Sequence, residues 1–169
     1  MKIIATTPRL VLRELTPGDA PELFALNEDP EVIRHTGDGA FASLDEARRF
    51  LEGYVDVYRR CGMGRWAVLR RADGAFLGWC GLRRMDGGEV DVGFRFHRRF
   101  WQQGVATESA RAALGLGFRA LGLERVIGRA RKANPASIRV LEKAGLTYER
   151  DLDLDGHPGV ILAVERSER

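Results

Sequence analysis

The segment from 89 to 131 constrains the topology more tightly than any other part of this chain. It reads EVDVGFRFH, a polar turn RRFWQQG, then VATESARAALGLGFRALGL, then ERVIGRAR. The outer pieces repeat at the strand period of two. The middle piece repeats at helical spacing through Ala110, Leu114, Gly117, Phe118 and Leu121. A helix of this length joining two strands is a βαβ crossover, so the strands run parallel and the connection is right-handed.

The rest of the chain builds out from that unit. RLVLREL at 9–15 is a strand, and Thr16, Pro17 and Asp19 start a helix over Ala20 to Asn27 that NEDPEV at 27–32 breaks. HTGDGAF at 35–41 is a loop. Ser43 with Glu46 makes a capping box for a helix whose apolar face holds Ala47, Phe50, Leu51, Tyr54, Val55 and Tyr58, and which Cys61-Gly62 ends. RWAVLRR, AFLGWCGLRR and EVDVGFRFH read as antiparallel strands turned at Asp73-Gly74 and at Asp86-Gly87-Gly88. ANPASIRVLEKAG is a short helix stopped by Gly145, and LTYERDLDL and GVILAVER form a last hairpin around Asp155-Gly156. There is no linker, repeat or low-complexity tract. The order β-α-α-β-β-β-α-β-α-β-β predicts one mixed α+β domain over residues 1–169, with its core between about 8 and 166.

Composition narrows the partners. A chain that is 44% hydrophobic and 30% charged can build a core and stay in water. No run approaches membrane-spanning length, and the apolar part of MKIIATTPRL is too short for a signal peptide, so a cytoplasmic protein with no membrane partner is expected. Cys61 and Cys80 are far apart without metal-type spacing, which predicts free thiols, Cys80 in the core, and no metal. The net charge of +3 fits an anionic small molecule at least as well as nucleic acid. Without a dense basic helix or aromatics set between basic residues, no specific nucleic acid is expected.

The turn inside the crossover is the candidate site. The first N–H groups of a helix have no partner within it, and the helix dipole favours negative charge there. Gly104 permits a tight turn and close approach of a ligand, and the small Ala106 and Thr107 leave the amides uncovered. This is the arrangement that cradles a pyrophosphate. Some thirty residues on, Asn134 and Ser137 stand at the start of the next helix, where Asn134 before Pro135 also reads as an ordinary cap.

TPRLVLREL, NEDPEV, the block DVGFRFHRRFWQQGVATES and NPASIRVLEKAGL, in this order, resemble the GNAT acetyltransferases, and more narrowly the RimJ/RimL-type subfamily. The resemblance implies a GNAT-like fold: a central, mostly antiparallel twisted sheet with a splayed parallel strand pair and flanking helices. It implies acetyl-CoA as co-substrate and direct acetyl transfer to a primary amine in a ternary complex. The loop at Trp101 to Ala106 would then hold the pyrophosphate through the main chain of Gln102, Gln103, Gly104, Val105, Ala106 and Thr107. Phe94, Arg95 and Phe96 would offer a strand edge to the pantetheine arm, with an N–H near Phe94 polarising the thioester carbonyl. Asn134 would bond the same arm.

For the chemistry, the resemblance makes Asp91 the first candidate for the base, because many family members carry Glu there, with Glu89 in reserve; each also reads as a solvated strand carboxylate. The family's usual acidic Tyr falls on Leu141, which leaves Ser137 as the proton donor to the thiolate. Acceptor contacts are expected from Asp29, Glu31, Arg34, His35, Asp38, Phe41 and His157. Arg129, Arg131 and Lys132, with Arg98 and Arg99, could meet the 3′-phosphate of CoA. The acceptor implied by the subfamily is a protein N-terminus, as of a ribosomal protein. A small amine such as an amino acid, polyamine or aminoglycoside, or a non-catalytic acyl-CoA-binding role, stays open beside it. A homodimer is compatible with the subfamily.

Overall fold

A computed structural model describes residues 1–167. Its centre is an eight-stranded sheet in the order β1-β2-β3-β4-β5-β6-β8-β7. The strands are β1 (Ile3–Thr6), β2 (Leu10–Glu14), β3 (Arg65–Arg70), β4 (Phe76–Arg84), β5 (Val90–Phe96), β6 (Arg125–Arg131), β7 (Thr147–Leu154) and β8 (His157–Glu165). The helices are α1 (Ala20–Glu28), α2 (Pro30–Ile33), α3 (Leu44–Cys61), α4 (Val105–Arg119) and α5 (Pro135–Ala144). All pairs are antiparallel except β5 with β6, the pair that the crossover requires.

Two elements depart from the sequence expectation. Strand β1 was not expected; its four residues are too few to show a period, and it exists by pairing with β2. The break at NEDPEV is the junction of two helices: Asp29 leaves the helical conformation, its side chain accepts from Glu31 N at 3.0 Å, and Pro30 opens α2. The other elements form where the periodicity predicts them.

The two faces of the sheet are covered differently. Trp66, Val68, Cys80, Leu82, Val90, Val92, Val126 and Leu162 point to the face under α4 and α5 and form the main core. On the other face α1 and α3 cover only the part near β2 to β4, through Leu15, Leu23, Leu26, Leu51, Ala67 and Phe76. A smaller cluster of Ile127, Ile161 and Ala163 lies beyond β5. The polar strip between these two clusters is the floor of the site. Cys61 is an exposed free thiol and Cys80 a buried one, with burial raising the Cys80 thiol to about 11. Among the described residues no helix is long and apolar enough to cross a membrane.

Candidate active site

Strands β5 and β6 meet at a single register pair, Asp91 with Ile127, and then diverge. The N–H of His97 donates to the carbonyl of Leu77 on β4 at 3.0 Å, and the ladder alternates from there. Main-chain N–H groups of even-numbered residues on β5 therefore face β6. Phe94 lies beyond the last bridge, so its N–H looks into the gap. An open strand edge beside a splay is a place where an extended chain can add by main-chain bonds. The splay opens into a cleft of about 830 Å³ whose walls include Gly93, Phe94, Arg95, Asn134 and Ser137.

The loop before α4 is held from below. Gln102 and Gly104 both have positive φ, 58° and 76°, and no side chain caps the helix. Successive amides in such a turn form a concave anion nest at a helix N-terminus. The indole of Trp101 donates to the Phe96 carbonyl at 2.9 Å and ties the loop to the end of β5. Gln103 turns its side chain back onto the Arg99 carbonyl, 2.9 Å away. Arg9, which sequence reasoning did not connect to the site, reaches across from the β1–β2 turn. Its Nη1 donates to the Gln103 carbonyl at 2.9 Å and its Nε to Glu108 in the first turn of α4 at 2.6 Å. Val105 is buried and anchors the helix, while Ala106 and Thr107 are half-buried beneath the amides.

Asn134 and Ser137 are in contact, and their polarity is fixed by the main chain. The N–H of Ser137 donates to Asn134 Oδ1 at 3.2 Å, so the other end of that amide is Nδ2, which donates to Ser137 Oγ at 2.9 Å. Because Oγ already accepts that bond, its own hydrogen is free to donate toward the cleft. Asn134 is thus the cap of α5, with both ends of its amide on Ser137.

Asp91 is buried in the floor between two guanidinium groups. Oδ1 accepts from Arg65 Nη2 at 2.7 Å, and Oδ2 stands 3.4 Å from Arg129 Nη2. Arg65 also donates to the carbonyls of Gly81 and Asp91, at 2.6 and 3.2 Å. A β-carbon on Gly93 would lie 2.6 Å from the Arg65 guanidinium, so glycine there makes room for it. Glu89 does not line the cleft; it sits 3.6 Å from Arg125, which also binds Glu149 and Glu165. The two carboxylates considered together in the sequence are therefore in different surroundings.

Trp79, Arg65 and Arg95 are site features that sequence reasoning missed as a group. The guanidinium carbons of Arg65 and Arg95 lie 5.5 and 5.3 Å from the Trp79 ring. The Arg95 side chain then reaches the rim, donating to Asn27 Oδ1 at 2.8 Å and pairing with Asp38 at 3.0 Å. One sign was available in the sequence: Trp79, Gly81 and Arg83 alternate along β4, and Asp91, Gly93 and Arg95 along β5, so each set shares a face.

The rim divides the other expected acceptor residues. His35, Asp38 and Phe41 line the cleft, whereas Asp29, Glu31, Arg34 and His157 do not. Burial, then Arg34 and Arg131, hold His35 below the ordinary imidazole value, which leaves it neutral near pH 7. The basic group expected around the 3′-phosphate is not assembled. Arg129 and Arg131 face the cleft, Lys132 pairs with Asp151 at 2.6 Å, and Arg98 pairs with Asp29 at 3.2 Å. Arg131 and Lys132 are chain neighbours and point to opposite faces, while Arg98 and Arg99 stand in the turn after β5, where the Arg99 guanidinium lies 4.9 Å from the Phe100 ring.

A family model described as "Acetyltransferase (GNAT) domain" matches residues 9–147. Uncharacterized N-acetyltransferase YoaA of Bacillus subtilis (strain 168) is 30% identical over 148 residues, 86% of this chain and 84% of that one. Among solved structures, RimL, the ribosomal L7/L12 alpha-N-protein acetyltransferase in complex with coenzyme A, superposes with a TM-score of 0.79 at 18% identity, covering 97% of this chain and 98% of the other. Spermidine N-acetyltransferase from Vibrio cholerae, in complex with CoA and spermine, gives 0.80 at 18% identity, covering 95% and 97%.

Proposed function

Because the chain belongs to the GNAT family of N-acetyltransferases, we propose that it acetylates a primary amine by direct transfer from acetyl-CoA within a ternary complex. The thioester supplies an activated acetyl group. The chain's own residues bind it, polarise it and handle protons. The nest at Gln102 to Thr107 suits a pyrophosphate, and the free edge of β5 suits the amide groups of an extended arm. The Phe94 N–H is the donor that would stabilise charge developing on a carbonyl oxygen in the gap. Ser137 offers its hydroxyl hydrogen to the departing sulfur, and Asn134 keeps that hydroxyl turned. His35, which lines the cleft, is the imidazole we assign to taking the ammonium proton. Asp91 we assign to positioning Arg65, which holds its Oδ1 at 2.7 Å, rather than to proton transfer.

The observation that carries this reading is the Asn134–Ser137 pair facing the unpaired edge of β5 across one cleft. It is tested by free-thiol release from acetyl-CoA over an amine panel. The expected result is turnover by the wild type and a loss of kcat of roughly 10²-fold in Ser137→Ala with acetyl-CoA affinity kept. Thiol release at the wild-type rate in Ser137→Ala would remove the proton-donor role. The fold neighbours named above act on a protein N-terminus and on spermidine.

A further inference from the structure

We propose that the acceptor amine carries its own carboxylate next to an apolar body, in the manner of a free α-amino acid with an apolar side chain; this rests on the transferase reading. The sheet floor of the cleft presents Arg65, Arg83, Arg95, Arg129 and Arg131, against the single carboxylate of Asp91. The register sets them on one face: Arg83 lies opposite Asp91, and Asp91 opposite Ile127, two residues before Arg129 and four before Arg131. Side chains at such positions share one face.

These cations are not equally spent. Arg65 is fixed by three bonds to Gly81 and Asp91, and Arg95 is neutralised by Asp38. Arg129 has only a stretched 3.4 Å contact, and its buried Nε has no partner. Arg83 and Arg131 make no ion pair among the described residues, although both line the cleft. Of the other acids lining the cleft, Glu46 is turned to the Ala42 N–H at the start of α3, Asp38 serves Arg95, and Asp155, in the β7–β8 turn, makes no ion pair among the described residues. Three guanidinium groups thus face the cleft without a full internal partner. Bidentate recognition of a planar carboxylate is what such groups do well. A polyamine would meet this floor as a like charge, and the amine of a protein N-terminus has no carboxylate beside it.

The opposite wall supplies the apolar contact. Phe41, Phe50 and Tyr54 form a row with ring centroids 5.6 and 5.5 Å apart, and all three line the cleft. Phe50 remains 47% exposed and gives an apolar side chain a surface to cover.

The test compares matched amines that differ only in the carboxylate: phenylalanine with phenethylamine, leucine with 3-methylbutylamine, and methionine with 3-(methylthio)propylamine. Spermidine and a short peptide with a free N-terminus complete the panel. Thiol release is read for the wild type, Arg131→Gln and Arg83→Gln, with acetyl-CoA affinity measured by calorimetry on each. The wild type should prefer at least one carboxylated partner by roughly tenfold or more in kcat/KM. That ratio should shrink toward one in the Arg131 or Arg83 variant through a raised KM, while acetyl-CoA affinity stays put. Preference for the decarboxylated amines, spermidine or the peptide overturns the acceptor class and leaves the transferase standing. A ratio that neither variant changes also overturns it. Acetyl-CoA binding without thiol release from any amine overturns the acceptor class and the transferase reading together.

Discussion

Gly104 concentrates the demands of the cofactor loop in one residue. Its φ of 76° is open to glycine at little cost, and a β-carbon added there would come within 3.2 Å of Arg9 Nη2. Gly104→Val puts a β-branched side chain into that region, at a backbone cost of about 1–3 kcal/mol. It also lays methyl groups over the amides that the phosphates would use. Calorimetry should show acetyl-CoA affinity reduced by at least about tenfold, whereas Gln103→Ala, which only frees the Arg99 carbonyl, should change it little. Arg9→Ala tests the support under the loop. It removes the bonds to Gln103 and Glu108 together, so acetyl-CoA affinity should fall with kcat nearly unchanged; an unaltered affinity would mean the loop holds its shape unaided. The sequence displayed Gly104, the small residues after it and the Asn134–Ser137 pair, because each is tied to a local turn or cap. Arg9 was invisible for the opposite reason: its partners lie more than ninety residues away, and nothing in the periodicity of a strand tells which distant loop it will brace.

The same distinction holds for α3, whose two ends at Ser43 and Gly62 follow from sequence, although the Glu46 carboxylate accepts from the Ala42 N–H and not from Ser43, so the capping box is only half made. Ser43 Oγ accepts from Glu46 N at 3.1 Å, and Gly62 turns left-handed at φ 66° to end the helix. Tyr54 and Tyr58 fall on its apolar face, as their spacing says, with ring centroids 5.3 Å apart. The task of their hydroxyls is legible only in three dimensions. Tyr54 Oη accepts from the N–H of Arg65 at 2.7 Å, while Tyr58 Oη accepts from Leu15 N at 3.0 Å and donates to the Arg65 carbonyl. Burial pushes the Tyr58 phenol well above its ordinary range, so it stays a donor at every working pH. The helix is thereby fastened to the strand that carries Arg65 into the site. Tyr58→Phe leaves the buried Leu15 N–H and the Arg65 carbonyl unpaired and should cost about 1–3 kcal/mol, read as a lowered midpoint in urea. A Tyr58→Phe protein as stable as the wild type would show that water or a shift of β3 restores both bonds.

Over the whole molecule, the sheet is clasped by one carboxylate on each layer. Asp19 ties the start of α1 to β2 by accepting from both terminal nitrogens of Arg13, at 2.7 and 2.6 Å, in a pair whose side chains are 9 and 10% exposed. On the other layer Glu108 binds Thr7 Oγ1 and Arg9, both at 2.6 Å, and so joins α4 to the β1–β2 turn. Burial works to raise both carboxyl groups. For Asp19 it is outweighed by the bonds from Arg13 and Thr16, for Glu108 by those from Thr7 and Arg9, and both end below their ordinary values. A carboxylate whose value is depressed on folding contributes stability that is fully present above its unfolded value, about 4. That contribution is lost as pH falls through the folded value, because the unfolded chain binds the proton first. The midpoint of thermal unfolding should accordingly hold between pH 7 and about 5, then fall steeply in acid. Asp19→Ala removes one clasp and leaves Arg13 buried without its partner, a loss of about 3–5 kcal/mol at pH 7. The variant should be the less stable protein at neutral pH and should also lose less on acidification, so the two curves converge. Parallel curves would mean that Asp19 is not ionised against Arg13 in the folded state, and that the acid sensitivity resides in the layer held by Glu108.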